Sequence, residues 1–175
     1  MFYALVHYPK IEADPVNQLR PKYDPHWNVI APHITLLFSI PESIGEQRLV
    51  SHIEHVLFEQ SALPIRLQGL ARSWDDHLLL LVQEGAAELI GLYQALYSGM
   101  LAEYLRQDIQ FTPHLTLGRF TEQPEKFRKA FDEAQQLNLD YECVMDRVNL
   151  VKIDEGPLQI VWSKEFLLQA VPRSR

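Results

Sequence analysis

Pro32-His33-Ile34-Thr35-Leu36 and Pro113-His114-Leu115-Thr116-Leu117 are two copies of one five-residue pattern, and the rest of the chain is read outward from them. In each copy polar and apolar residues alternate, the period of a half-buried β-strand. Side chains two apart on a strand share a face, so His33 sits beside Thr35 and His114 beside Thr116. Ile34, Leu36 and Phe38 are expected on the reverse of the first strand, and Leu115 and Leu117 on that of the second, where helices can cover them. A lone His-x-Thr in a β-rich chain carries little weight. Two copies, each preceded by proline and each opening the same order of elements, read as a duplicated unit.

Residues 2–8 suit a first strand, and 11–23 a short helix that stops near Asp24-Pro25, because the residue before a proline avoids the helical region. A strand over His33–Phe38, closed by Pro41, precedes a helix over 42–60 with Ile44, Leu49, Ile53, Val56 and Leu57 on one face. Strands are expected over 63–74 and 77–83, joined at Asp75-Asp76 as a hairpin, then a helix over 86–105. The second motif strand spans 111–120. A helix over 125–137 follows, with Phe127, Ala130, Phe131 and Ala134 on one face, and then strands over 141–153 and 158–168. The expected fold class is α+β: a single domain over 1–175 with two pseudo-symmetric lobes, each a mainly antiparallel sheet with outer helices. The first motif half covers about 25–85 and the second about 106–170, with an active-site cleft between the lobes.

The composition, 47% hydrophobic and 22% charged, is that of a chain able to bury one sizeable core. The longest aliphatic run, Leu78 to Val82, is too short to span a bilayer, so no membrane association is expected. No basic segment precedes the apolar residues at the N-terminus, which argues against a signal peptide. The single cysteine, Cys143, excludes an internal disulfide and a CxxC zinc site and fits a cytoplasmic protein; it reads as a small buried residue. The net charge of −7 argues against gripping long duplex DNA, which calls for a basic surface. A nucleotide or a nucleic-acid end met by a local basic patch is compatible with it.

An imidazole takes or gives a proton near neutral pH, and a threonine hydroxyl hydrogen-bonds a phosphoryl oxygen. In-line displacement at phosphorus needs a base for the attacking water or hydroxyl and an acid for the departing oxygen on the opposite side. Two His-x-Thr strands facing each other across a pseudo-twofold axis supply both. His33 and His114 would be the proton-transfer pair, with Thr35 and Thr116 on the non-bridging oxygens. This chemistry calls for no metal, because the second imidazole supplies what a Lewis acid otherwise would. The sequence carries no P-loop, no dinucleotide fingerprint and no complete metal-ligand signature, so no cofactor and no metal are expected.

Segments 32–36 and 111–119 resemble the two-histidine phosphoesterase superfamily, which includes the bacterial and archaeal 2′-5′ RNA ligase-like proteins. Arg20-Pro21-Lys22-Tyr23-Asp24-Pro25 is similar to the short bacterial branch of that superfamily. The resemblance spans nearly the whole chain in order and spacing, with its specific matches in these three segments. It implies a bilobal α+β fold and cleavage, or reversible joining, of 2′,3′-cyclic or 2′-5′ phosphodiester bonds. His33 and His114 would then be the catalytic pair, and Thr35 and Thr116 the phosphate ligands. The leading expectation is metal-independent hydrolysis of a 2′,3′-cyclic phosphate on a nucleotide or RNA end by a monomeric enzyme. The alternatives are a 2′-5′ RNA ligase-like activity, another nucleotide-derived cyclic phosphate as substrate, or a non-catalytic RNA- or nucleotide-binding module.

Arg119 is a candidate phosphate clamp, yet strict alternation puts it opposite His114, and it reaches the cleft only if the strand ends or bulges near Gly118. Gly118 is expected on the site face, leaving room for a ligand. Lys22 and Tyr23, with Arg20, are candidates for the cleft mouth; a solvated turn is the plain alternative. Tyr23 and Trp27 are candidates to stack a base. His52 and His55, three apart on a helix, have no evident third ligand, and His77 beside Asp75-Asp76 reads as closing the hairpin.

Overall fold

A computed structural model of the chain describes residues 1–170; positions 171–175 of the expected domain lie outside the described residues. The fold is α+β. Eight strands, β1 (Phe2–His7), β2 (Ile34–Pro41), β3 (Leu63–Arg72), β4 (His77–Glu84), β5 (His114–Arg119), β6 (Asp140–Met145), β7 (Arg147–Asp154) and β8 (Gln159–Leu167), form one sheet. Every neighbouring pair is antiparallel. The order β6-β3-β4-β5-β2-β1-β7-β8 sets the two motif strands, β2 and β5, side by side at its centre.

The sequence halves, about 25–85 and 106–170, are not the two sides of this sheet. Hairpin β3–β4 follows the first motif in the chain but lies beside β5, and β7–β8 lies beside β1. The stretch expected as one strand over 141–153 is β6 and β7, separated only by Asp146 and placed toward opposite flanks. Consecutive residues can occupy both flanks only if the sheet curls until they approach. There the Asp146 carbonyl accepts the Leu168 amide, and its carboxylate pairs with Lys10 at 2.7 Å and Arg147 at 3.0 Å.

Helices α1 (Asp14–Tyr23), α2 (Glu46–Leu57), α3 (Ala86–Leu96) and α4 (Pro124–Gln136) share one core with one face of the sheet. In α1, Val16, Leu19, Arg20 and Tyr23 form the buried stripe, the i, i+3, i+4, i+7 spacing of an amphipathic helix. Each fully buried aliphatic side chain in it contributes about 1.5–3 kcal/mol. Helix α1 packs against β5, and α3 packs against β2 through Leu89, Leu92 and Leu96, so each motif strand rests on a helix. The start of α3 needs Gly85: its φ is +81°, and a Cβ there would lie 2.7 Å from the Pro64 carbonyl oxygen.

The expected helix over 42–60 is a 3-10 turn, Glu42–Ile44, followed by α2, because Gly45 at φ +84° interrupts it. The one over 86–105 ends at Leu96, and a separate 3-10 segment spans Gly99–Tyr104. Phe38 does not join the core. The β1–β2 ladder shifts register between Tyr3 and Val6, Leu37 takes the buried place, and Phe38 is 63% exposed with its ring edge-on to Phe2. Among the described residues no helix is long and apolar enough to cross a membrane.

Candidate active site

At the sheet centre Ile34 is paired with Leu115, and both are fully buried against the helices. Antiparallel pairing then sets His33 opposite Thr116 and Thr35 opposite His114, all four on the other, half-open face. Directly opposite side chains start about 5 Å apart and diagonal ones about 7–8 Å apart. The two imidazoles lie on the diagonal, so a group of phosphoryl size fits between them with a hydroxyl on either side. The twofold expected from the repeated motif is the local symmetry of this one antiparallel pair.

Both imidazoles are anchored alike. His33 Nδ1 lies 2.8 Å from the Ala31 carbonyl oxygen, and His114 Nδ1 lies 2.6 Å from that of Thr112. A carbonyl only accepts, so each Nδ1 carries a proton and each Nε2 is the ring nitrogen left without that bond. Burial pushes His33 down to about 4, against the opposing pull of the Ala31 carbonyl. It also lowers His114, partly offset by the Thr112 carbonyl. In both, burial thus favours the neutral ring.

The chain just before Ala31 is held by a buried ion pair. Arg20 sits on the core stripe of α1, where an uncompensated charge would be costly, and its guanidinium meets Asp24 at 2.8 Å. The same Nη2 donates to the Ile30 carbonyl at 2.8 Å and Nε donates to Asp24 at 2.9 Å, while Asp24 also accepts the His26 amide at 2.9 Å. Together these bonds shape the turn that delivers Ala31, Pro32 and His33.

A family model for the 2′-5′ RNA ligase superfamily matches residues 8–157, a span that includes both motifs. The chain belongs to the 2′-5′ RNA ligase superfamily. A protein of Geobacillus thermodenitrificans with the name "Putative phosphoesterase" is 26% identical over 154 residues, covering 86% of this chain and 87% of that protein. A Bacillus licheniformis protein of the same kind of name is 25% identical over 162 residues, covering 89% and 93%. Among solved structures, E. coli LigT complexed with 3′-AMP superposes with a TM-score of 0.62 at 17% identity, covering 95% of this chain and 97% of that one. A crystal structure of a phosphoesterase gives 0.61 at 17% identity, covering 96% and 98%.

Around the four motif residues this superfamily member is not symmetric. On the β1 side Tyr8 stands edge-on to His33, with ring centroids 6.4 Å apart, and joins a small apolar cluster with Ala4, Val6, Val151 and Ile153. On the β4 side the ladder pairs Leu81 with His114, Leu79 with Thr116 and His77 with Arg119. His77 Nδ1 lies 3.0 Å from the Asp75 carboxylate. In the sequence His77 only closes the hairpin; its register against β5 is what brings it near the motif.

Between Leu78 and Leu79 the β4–β5 register shifts by one residue, so β5 bulges at Leu117–Gly118. The bulge overturns two expectations. Gly118 faces the helices, where a Cβ would lie 2.7 Å from Tyr23 Cβ, and so leaves no room on the site face. Arg119, between inward Gly118 and buried Phe120, turns to the same face as His114 and Thr116. Its hydrogen bond among the described residues is a long one, from Nε to Thr121 Oγ1 at 3.4 Å.

Lys22 and Tyr23 do not line the cleft mouth. Both meet Glu133 on α4, at 3.0 and 2.9 Å, because the α1 stripe that buries Tyr23 turns this end of the helix toward α4. Burial and the Glu133 bond push the Tyr23 phenol up to about 12. Tyr23 is thus not available to stack a base, whereas Trp27 is 49% exposed. His52 donates from Nε2 to the Leu96 carbonyl at 2.8 Å, tying α2 to α3. Cys143 is half-buried on β6.

Proposed function

We propose that the protein is a metal-independent phosphodiesterase that hydrolyses a cyclic phosphodiester, the 2′,3′-cyclic phosphate of a nucleotide or RNA end. The carrying observation is the pair of equally anchored imidazoles on one sheet face, each with a threonine directly opposite. One Nε2 takes a proton from water as its oxygen bonds to phosphorus. The other gives a proton to the ribose oxygen as the P–O bond breaks. Thr35 and Thr116 hold the two non-bridging oxygens and stabilise their charge in the transition state. Proton exchange with solvent restores the starting pair. Substrate class is supported by LigT, whose structures were solved with 3′-AMP, ATP and NADP+. The superfamily's name motivates a second reading, 2′-5′ joining, which is the same ring-opening displacement with a 5′-hydroxyl in place of water as the attacking group and the ribose 3′-oxygen again departing.

The test is turnover of 2′,3′-cyclic nucleotides and 3′-cyclic-phosphate oligonucleotides with a chelator present. Wild-type activity should persist, and His33→Ala and His114→Ala should each lose about 10²- to 10⁴-fold, the usual contribution of a general acid or base. Equal turnover by wild type and both variants would remove the two histidines from the mechanism. Dependence on added metal would remove the mechanism itself.

A further inference from the structure

We propose that Phe38, braced by Phe2, is the platform on which the substrate's nucleobase stacks, one step along β2 from the phosphoryl group held between His33 and His114. The proposal rests on the phosphodiesterase reading above and adds the base contact which that reading leaves open.

The register of β2 puts Phe38 on the face that carries the four motif residues. Leu37 pairs with Leu5 and Ile40 with Tyr3, and all four belong to the core shared with the helices. Between these pairs β1 has one residue, Ala4, while β2 has two, Phe38 and Ser39, which is a β-bulge. Ala4 lies on the opposite face, in one cluster with Val6, and Val6 pairs with Thr35. Phe38, next after inward Leu37, turns to that same face. Ser39 takes up the extra residue at φ +57°, a left-handed conformation that serine rarely holds. The Phe38 amide donates to the Tyr97 hydroxyl at 3.2 Å, so the backbone of the bulge is fixed before any ligand arrives.

The ring is held in place but not buried. Phe2 stands against it with centroids 5.6 Å and planes 69° apart, yet Phe38 stays 63% exposed. Among the described residues the other largely exposed aromatic rings, Trp27, Phe58 and Trp74, lie in turns or at the end of α2, whereas Phe38 stands on a motif strand. A second register shift, between Leu5 and Val6, sets two steps of β2 against one of β1. Three residues thus carry the chain from Thr35 to Phe38, with one absorbed, and the ring stands about 7 Å along the strand from the phosphoryl site. That is the scale of the reach from a ribose-bound phosphate to the base of the same nucleotide. The charges at this end of the sheet favour a flat, uncharged group. Lys152 is paired with Glu42 and the Met1 ammonium with Glu155, so neither cation is free to meet a further phosphate. Every nucleobase has a π face to lay on an aromatic ring, and the larger purines stack more strongly.

The experiment compares kcat/KM for adenosine 2′,3′-cyclic phosphate with that for a base-free analogue, methyl β-ribofuranoside 2,3-cyclic phosphate. Wild type should prefer the adenosine substrate by about tenfold or more, and the adenosine over the uridine cyclic phosphate by a smaller factor. In Phe38→Ala and Phe38→Leu the preference over the base-free analogue should fall to about threefold or less, while Phe38→Trp keeps it. A structural role for Phe38 would lower both substrates together and leave the ratio intact. The proposal is overturned if wild type shows no preference, or if Phe38→Ala and Phe38→Leu retain it. A retained ratio with a dimer lost on sedimentation of Phe38→Ala would give the ring to a second copy of the chain instead. Should wild type turn over neither substrate, the catalytic reading fails, and calorimetry with 3′-AMP against methyl β-ribofuranoside 3-phosphate still decides the platform. Tighter binding of 3′-AMP that is lost in Phe38→Leu supports it; equal affinities, or a difference kept in Phe38→Leu, sink it.

Discussion

The two sides of the β2–β5 seam carry the same pair of groups, one histidine and one threonine, in different settings. His33 and His114 each donate from Nδ1 to a carbonyl two residues upstream, and each faces a threonine. Yet His33 lies against Tyr8 and the apolar Ala4–Val6–Val151–Ile153 cluster, over a turn clamped by the buried Arg20–Asp24 pair. His114 lies beside Asp75, His77 and an unpaired Arg119. The duplicated part is what displacement at phosphorus requires from both directions. The unduplicated part can give a bound substrate a head and a tail. On the proposed mechanism, catalytic chemistry would belong to the symmetric elements and substrate orientation to the asymmetric ones.

That division can be broken at its strongest point first. Although their neighbours differ, His33→Ala and His114→Ala should cost similar factors, about 10²- to 10⁴-fold in kcat, and the double variant little more than either alone, because the two groups act as one unit. Full additivity would mean that they serve separate steps. Next, Arg20→Ala should lower stability by about 3–5 kcal/mol in urea unfolding, since it strands Asp24 as a buried charge. Replacing both partners by apolar residues should recover most of that stability. The recovered protein should still turn over substrate slowly, having lost the bonds that shape the turn before Ala31; full activity would show the clamp to be irrelevant to the site. Thr35→Val and Thr116→Val should each reduce kcat/KM about 10- to 100-fold, the scale of a hydrogen bond to a charged group. Gly118→Ala should cost about 1–3 kcal/mol through its contact with Tyr23, measured by thermal unfolding.

The smallest effect concerns pH. Catalysis requires one imidazole protonated and one neutral, and both are lowered from 6.5 in the free protein. The kcat/KM profile should therefore rise as pH falls from 8 and peak below 6.5, then fall when both are charged. Stability should move the other way. His7, His33 and His114 are all lowered by burial, so below 6.5 the unfolded chain binds more protons and stability falls as pH falls. An alkaline optimum would contradict the assignment of the acid.

The α+β class and the shared strand face of His33, Thr35, His114 and Thr116 were legible because strand alternation and a repeated His-x-Thr are local signals. What was not legible is non-local. Nothing in 63–84 says that this hairpin will pair with β5 instead of β2, so His77 looked like a turn residue. Asp146 gives no warning that it divides one β-rich run between two flanks of a curled sheet. Arg119 and Gly118 exchanged faces through one inserted residue at Leu117, a shift that alternation cannot anticipate although glycine in a strand marks where it can occur. Tyr23 and Lys22 looked available because α1 was read without its partner Glu133.

The central claim is that His33 and His114 converge on one anion, and imidazole NMR titration tests it directly. In the free protein both rings should titrate below 6.5 as Nδ1–H tautomers, His33 near 4. On adding 3′-AMP, both should shift upward in pKa together, following a single dissociation constant. Movement of only one ring, or two rings following different constants, would contradict a shared phosphoryl site.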